Sequence, residues 1–339
     1  MTFIAAGLEA IVDYVTLHRV ISLLIAFLLS GAIASFMSQG SVLKHFGPDA
    51  KPVMAYGVAS LSGVILSVCS CSVLPMFSSI RKKGAGIGPA VTFLFAGPAI
   101  NILAITMSFN LLGTDIGLVR TVSAVILSVV IGISMMLIWA KHEKVSANAD
   151  MFASSGKSYR ESWKTMVFFA LLVGILISGV RNPVPTLILT ALLLGVIILW
   201  FKLHEIKAWL FESWKLVYKI APLFIVGIFL AGIIQEAIPT EVMARLVGTG
   251  SVLSNLVAAT FGAFMYFATL TEVPIVQSFM SLGMLKGPAI ALLLAGPSLS
   301  LPNMIVIGRV MGWKRALTYV GLTVVFATFA GYIAGLLFF

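Results

Sequence analysis

The sequence predicts an all-α, polytopic transmembrane helical bundle of about ten spans, organised as an internal repeat with discontinuous helices. Three observations carry that prediction. The chain is 60% hydrophobic and only 10% charged, at a mean hydropathy of +1.10, far from the profile of soluble globular domains. Several stretches run for the ~20 uncharged residues that a helix needs to cross the hydrocarbon core, and the two-residue alternation of an outer-membrane barrel is missing. Glycines and prolines recur at one fixed separation, with Gly63 matching Gly262, Pro75 matching Pro274, Gly88-Pro89 matching Gly287-Pro288 and Gly97-Pro98 matching Gly296-Pro297.

Residues 1–18 lack the basic start and small-residue cleavage pattern of a secretory signal, and Ile4, Leu8, Ile11, Val12 and Val15 follow helical spacing. A short interfacial helix is expected there. Hydropathy then places spans at about 19–39, 54–76, 87–112, 117–140, 163–181, 184–201, 215–235, 251–276, 286–307 and 314–337. Arg181-Asn182-Pro183-Val184-Pro185 separates the fifth from the sixth as a turn, because two prolines and an asparagine cannot continue a helix. Lys141 to Lys164 is polar, without apolar period, and reads as a flexible cytoplasmic linker. The layout is thus a first half at 1–140, a linker with two intervening helices at 141–214, and a second half at 215–339.

The net charge of +10 would raise nucleic acid as a partner for a soluble protein. Here Lys and Arg sit in short loops between apolar spans, as topogenic charges; the partners implied are the lipid bilayer and a small-molecule substrate, and no nucleic acid. Summed over alternate loops, they are denser on the side of Arg81-Lys82-Lys83 and of the loops near 141–164 and 202–219. A multi-pass protein of the inner (cytoplasmic) membrane with both termini cytoplasmic is expected. His18, His45, His142 and His204 match no metal-ligand spacing, and no cofactor is expected.

The repeat gives two related halves of four spans with the fifth and sixth between them, a plan common among secondary transporters. Six true spans between equivalent points make the halves parallel, and one non-spanning hairpin makes them inverted. Four breaks face mid-membrane: Cys69-Ser70-Cys71-Ser72 with Pro75; Gly97-Pro98 followed by Asn101; Thr269 and Thr271 with Glu272 and Pro274; and Gly296-Pro297-Ser298 followed by Asn303. Unsatisfied backbone in hydrocarbon costs several kcal/mol, so matched breaks at one depth point to a polar cavity.

Cys69 and Cys71, the only cysteines, would point about 200° apart on a regular helix and converge only where the backbone unwinds. Such a pair suits a soft centre such as Cu(I), Zn(II) or trivalent arsenic, while packing as small hydrophobes accounts for it equally well. Glu272 is the only acid placed deep in a span, where it would serve as proton carrier or cation counter-charge, or pin the broken helix through Thr269 or Thr271. Asn101 and Asn303 would donate to a substrate or cap exposed backbone.

Val68-Cys69-Ser70-Cys71-Ser72-Val73-Leu74-Pro75, with Lys82-Lys83-Gly84-Ala85-Gly86-Ile87-Gly88-Pro89-Ala90 and Phe93-Leu94-Phe95-Ala96-Gly97-Pro98-Ala99-Ile100-Asn101, resembles the signature of the ArsP-type permease family. That resemblance implies efflux of trivalent organoarsenicals, with Cys69 and Cys71 as arsenic ligands and no resident metal. The expected function is a secondary permease rather than an enzyme, exporting small thiophilic compounds, with Glu272 coupling transport to protons. No Walker Lys-Ser/Thr loop is present to hydrolyse ATP. A membrane thiol-redox or metal-handling protein using the Cys-Ser-Cys pair is the alternative, though it leaves the duplicated breaks unexplained.

Overall fold

In hydrocarbon a backbone must satisfy its own donors and acceptors, and this chain does so with helices. A computed structural model describes residues 3–14, 17–36, 51–66, 70–150, 162–178, 183–237, 246–265 and 272–338; these form helices and short connections, with no strand among them. In chain order the helices are α1 (Phe3–Tyr14), α2 (Leu17–Phe36), α3 (Pro52–Leu66), α4 (Ser70–Lys82), α5 (Ile87–Ala99), α6 (Ile102–Leu111), α7 (Thr114–Asp150), α8 (Ser162–Ser178), α9 (Pro183–Trp200), α10 (Leu203–Ala237), α11 (Val252–Phe264), α12 (Glu272–Ser281), α13 (Lys286–Leu299), α14 (Leu301–Met311) and α15 (Trp313–Leu337).

The repeat is visible in the backbone. Helices α3 to α7 recur as α11 to α15, and the glycines of positive φ recur with them: Gly84 (φ 93°) and Gly283 (φ 107°) at the hairpin tips, Gly113 (φ 98°) and Gly312 (φ 88°) before the last helix of each half. Only glycine adopts that conformation without strain. Side-chain packing repeats too. A Cβ on Gly132 would lie 2.8 Å from the Gly88 carbonyl and 3.0 Å from the Tyr56 ring, and one on Gly331 would lie 2.6 Å from both the Gly287 carbonyl and the Asn255 side chain. Close approach of α3, α5 and α7, and of α11, α13 and α15, depends on these bare backbones.

Among the described residues, three helices are each long and apolar enough to cross a membrane, over Thr114–Trp139, Leu203–Leu230 and Trp313–Leu337. Only 33%, 29% and 28% of their apolar windows are buried within the protein, so most of their surface is left for lipid. Two further crossings are bent pairs, α5 with α6 at 45° and α13 with α14 at 49°. Helices α2, α8 and α9, of 20, 17 and 18 residues, are about 25–30 Å long at 1.5 Å per residue and fit the same role.

The stretches predicted as spans at 54–76 and 251–276 are not crossings. At 15 and 13 residues, α3 and α4 are each about 20 Å long, short of the ~30 Å core. Both start and finish beside the Gly84 tip: Tyr56, near the start of α3, packs on Gly88, and α4 ends at Lys82. The pair therefore enters and returns to the same face, with its arms resting on α5. Helices α11 and α12 do likewise at the Gly283 tip, where the Leu285 amide donates to the Val247 carbonyl at 3.4 Å and Asn255 packs on Gly287. Hydropathy counted the length of a V as the length of a span.

That correction settles the relation of the halves, which are inverted. From the Gly84 tip, α5 and α6 cross to Leu111, which accepts a hydrogen bond from Gln277 at 3.3 Å, and to Asp115, which pairs with Lys286 at 4.0 Å. Gln277 and Lys286 flank the Gly283 tip, so the two tips lie on opposite faces. Conversely, Arg309 at the far end of α14 lines one cavity with Arg81 and Lys82. The Gly84 face gathers Arg81, Lys82, Lys83, Lys215, Lys219, Arg309, Lys314 and Arg315 and is here named the basic face.

Helix α2 runs toward the basic face: Phe36 at its end meets the rings of Phe168, Phe201 and Trp209 at 5.6, 5.0 and 6.3 Å. The start of α2 and the end of α15 consequently lie on the face opposite Arg81-Lys82-Lys83. The sequence-based placement of the termini beside those charges assumed that 54–76 crosses. Helix α10 also runs unbroken through the boundary expected at 214 and 215.

Candidate functional site

Helices α5 and α13 are apolar all round and buried along their lengths, as helices without a polar face must be, and they pack on each other at the centre. Each carries its Gly-Pro pair within the helix. The break follows two or three residues later, at Ile100 (φ −107°, ψ 34°) and Asn101 in the first half and at Ser300 in the second. Proline removes its own donor but leaves the next turn to end the helix. Pro75 and Pro274 similarly sit inside α4 and α12, and Pro274 occupies the first turn, where a missing N–H is tolerated.

Of the predicted site residues, Ser72, Pro75, Gly97, Pro98, Asn101, Glu272, Gly296, Pro297, Ser298 and Asn303 are all buried, and Pro274 is half-buried. Ser70 and Cys71 are the first two residues of α4, at its inner end. Cys69, Thr269 and Thr271 lie outside the described residues.

The second break is a polar knot in an apolar core. Ser300 has φ 24°, a conformation that a non-glycine residue adopts only under strain. Its hydroxyl and Oδ1 of Asn303 are buried with no hydrogen-bond partner among the described residues. Tyr319 of α15 donates to the Ser298 carbonyl at 3.3 Å, and α10 presses against the knot, with Pro302 at the bare backbone of Gly227. Buried unpaired acceptors are uncommon because each loses its hydration without return, so this knot is suited to receive donors.

Glu272 opens α12, and the structure gives it a partner that sequence reasoning missed. Arg120 of α7 is 0% exposed and Glu272 1%. Arg120 Nη2 donates to both carboxylate oxygens, at 3.3 and 3.4 Å, and Nη1 donates to Ser108 Oγ of α6 at 2.7 Å. Its Nε finds no acceptor among the described residues. Arg120 lies near the start of the span expected at 117–140, a place where a cation is ordinary. The signal that could have found it is the acid itself: a carboxylate at that depth requires a counter-charge.

The pair ties the inner end of one half's re-entrant arm to the other half's crossing helices. It has no symmetry mate, because the repeat places Tyr319 opposite Arg120 and Val73 opposite Glu272. Among the described residues no group of three or more His, Cys, Asp or Glu could hold a metal ion.

The family model described as ArsP_1, predicted permease, matches residues 4–336. The UPF0718 protein MJ0584 of Methanocaldococcus jannaschii is 46% identical over 99% of this chain and 97% of its own. The UPF0718 protein YraQ of Escherichia coli is 22% identical over 74% of this chain and 58% of its own, and the UPF0718 protein YcgR of Bacillus subtilis 24% identical over 37% and 43%. No solved structure matches.

Proposed function

We propose a function from two facts: the chain belongs to the ArsP_1 family of predicted permeases, and its halves send re-entrant arms into the membrane from opposite faces. It is a membrane permease. Within that class, the reading these features support best is a secondary transporter that exports small thiophilic compounds such as trivalent organoarsenicals through a site at the repeat interface. The observation that carries it is the position of Cys71 at the inner end of α4, next in chain to Ser70 and two residues from Cys69, the only cysteines in the sequence.

Cys69 and Cys71 act as reversible thiolate ligands; a monosubstituted arsenic(III) centre needs only two. The hydroxyls and amides of Ser72, Asn101, Ser298, Ser300 and Asn303 line the remaining path. Glu272 couples the cycle to protons: a proton on its carboxylate removes the charge that holds Arg120, and α12 is then released from α6 and α7. The basic face is cytoplasmic by the positive-inside rule, in the cytoplasmic membrane, and this puts the end of α15 outside.

The test is protection of an arsenical-sensitive strain from methylarsenite. Expression of the wild type raises tolerance, and Cys69→Ser with Cys71→Ser abolishes the gain. Undiminished protection by that double variant would overturn the ligand role. Undiminished substrate-driven pH change in Glu272→Gln proteoliposomes would overturn the coupling role.

A further inference from the structure

A cavity of about 680 Å³ opens at the basic face, walled by α4, α10 and α14, so that a re-entrant arm of one half and a crossing helix of the other both line it. Four cations from these three helices converge there: Arg81, Lys82, Lys219 and Arg309, beside the hydroxyls of Ser78 and Tyr218. Among the described residues no carboxylate lines it. Glu212, an acid whose charge acts on Lys82, is engaged by Lys215 at 3.3 Å. Arg81 is held by the Ala85 carbonyl through Nη1. Among the described residues, Lys82, Lys219 and Arg309 enter no salt bridge.

Topogenic lysines on separate helices usually spread around the rim and reach into water or headgroups. Convergence into one cavity is a different arrangement, and an unfavourable one while nothing neutralises it. Burial lowers the affinity of Lys82 and Lys83 for their protons, and for Lys82 the neighbouring Lys219 and Lys215 lower it further against the pull of Glu212. A bound anion would offset that repulsion and would accept from ammonium, guanidinium and hydroxyl donors together.

We propose that this cavity is an anion site, taking an oxyanion-bearing group of the phosphate or polycarboxylate class at the cytoplasmic mouth of the permease. Its volume suits a small metabolite and equally the headgroup of an anionic lipid. The site is independent of the thiophilic cargo: it requires neither Cys69 nor Cys71. Its place beside α4, about seven residues along the arm from Cys71 to Ser78, sets it on the approach to the inner end of that arm.

Isothermal titration of the full-length protein in phosphatidylcholine nanodiscs, with citrate and inorganic phosphate as probes, tests it. Saturable binding is expected, weakened at least tenfold in Lys219→Gln/Arg309→Gln, retained in the conservative Lys219→Arg/Arg309→Lys, and unchanged in Lys314→Gln, a cation of the same face outside the cavity. A parallel arm measures phosphatidylglycerol retained through purification, by native mass spectrometry. Retention by the wild type that is lost in the Gln double variant, without citrate binding, assigns the same anion chemistry to a lipid headgroup. Equal behaviour of wild type and Gln double variant in both arms, or neither binding of a probe nor retention of phosphatidylglycerol by the wild type, overturns the site.

Discussion

Replacing Glu272 by Gln keeps the shape of the inner end of α12 and removes its charge, leaving the Arg120 guanidinium buried at 0% exposure with Ser108 as its short contact. At 3.3 Å and an effective dielectric constant of about 20, the direct attraction lost is about 5 kcal/mol. Removing one partner of a buried pair costs about 3–5 kcal/mol, whereas exchanging both for apolar residues of similar volume is often neutral or stabilising. Glu272→Gln, Glu272→Leu and Arg120→Met should therefore each lower stability by about 3 kcal/mol. Arg120→Met/Glu272→Leu should fall within about 2 kcal/mol of the wild type, giving, against the Met and Leu single variants, a coupling of at least about 4 kcal/mol. The assay is reversible unfolding in mixed micelles, followed by tryptophan fluorescence. Losses that add to within about 0.5 kcal/mol would mean that Arg120 and Glu272 do not act on each other, and the latch assigned to them would fall.

Inversion of the halves is checked by impermeant maleimide labelling in a Cys69→Ser/Cys71→Ser background: Lys83→Cys and Leu282→Cys should react from opposite sides of the membrane, and labelling from one side refutes the fold. Gly132→Ala sets a Cβ against Thr92 Oγ1 and 2.8 Å from the Gly88 carbonyl, so its unfolding midpoint should drop by the equivalent of about 1–3 kcal/mol. Gly57→Ala, with no described residue within 4 Å of the new Cβ, should be neutral or gain up to about 1 kcal/mol, and equal losses in the two variants would contradict the close approach of α5 and α7. Ser300→Gly relieves a positive φ of 24° and should raise the midpoint by the equivalent of about 1 kcal/mol, read by the same unfolding measurement.

The repeat was legible because glycine and proline are placed by backbone geometry: Gly84 and Gly283 stand where a left-handed turn is required, whatever surrounds them. The inner ends of the re-entrant arms were legible as polar interruptions at Cys69-Ser70-Cys71 and Glu272. Their direction was not, since α3 and α4 together have the apolar length of a crossing and hydropathy carries no sense of return. Arg120 escaped notice for a related reason. Its distance along the chain from a span end is small, but its neighbours Ser108 and Glu272 are brought to it by tertiary packing. The cavity at Arg81 and Arg309 joins residues from opposite ends of the chain, and no local pattern foretells it.

The one-sidedness of the Arg120–Glu272 pair bears on how the permease rests. In an inverted repeat, letting each half adopt the other's conformation turns an inward-opening protein into an outward-opening one, and for identical halves the two would be equally populated. Here the exchange carries Tyr319 toward Val73, a contact that holds no charge. A difference of about 3 kcal/mol between the two arrangements is roughly a 150-fold preference, so on the proposed transport cycle the empty carrier would wait on one side and return to it after each turnover. Neutralising Glu272 should level that preference, and spin-label distances across the Gly84 and Gly283 tips would register two populations where the wild type has one.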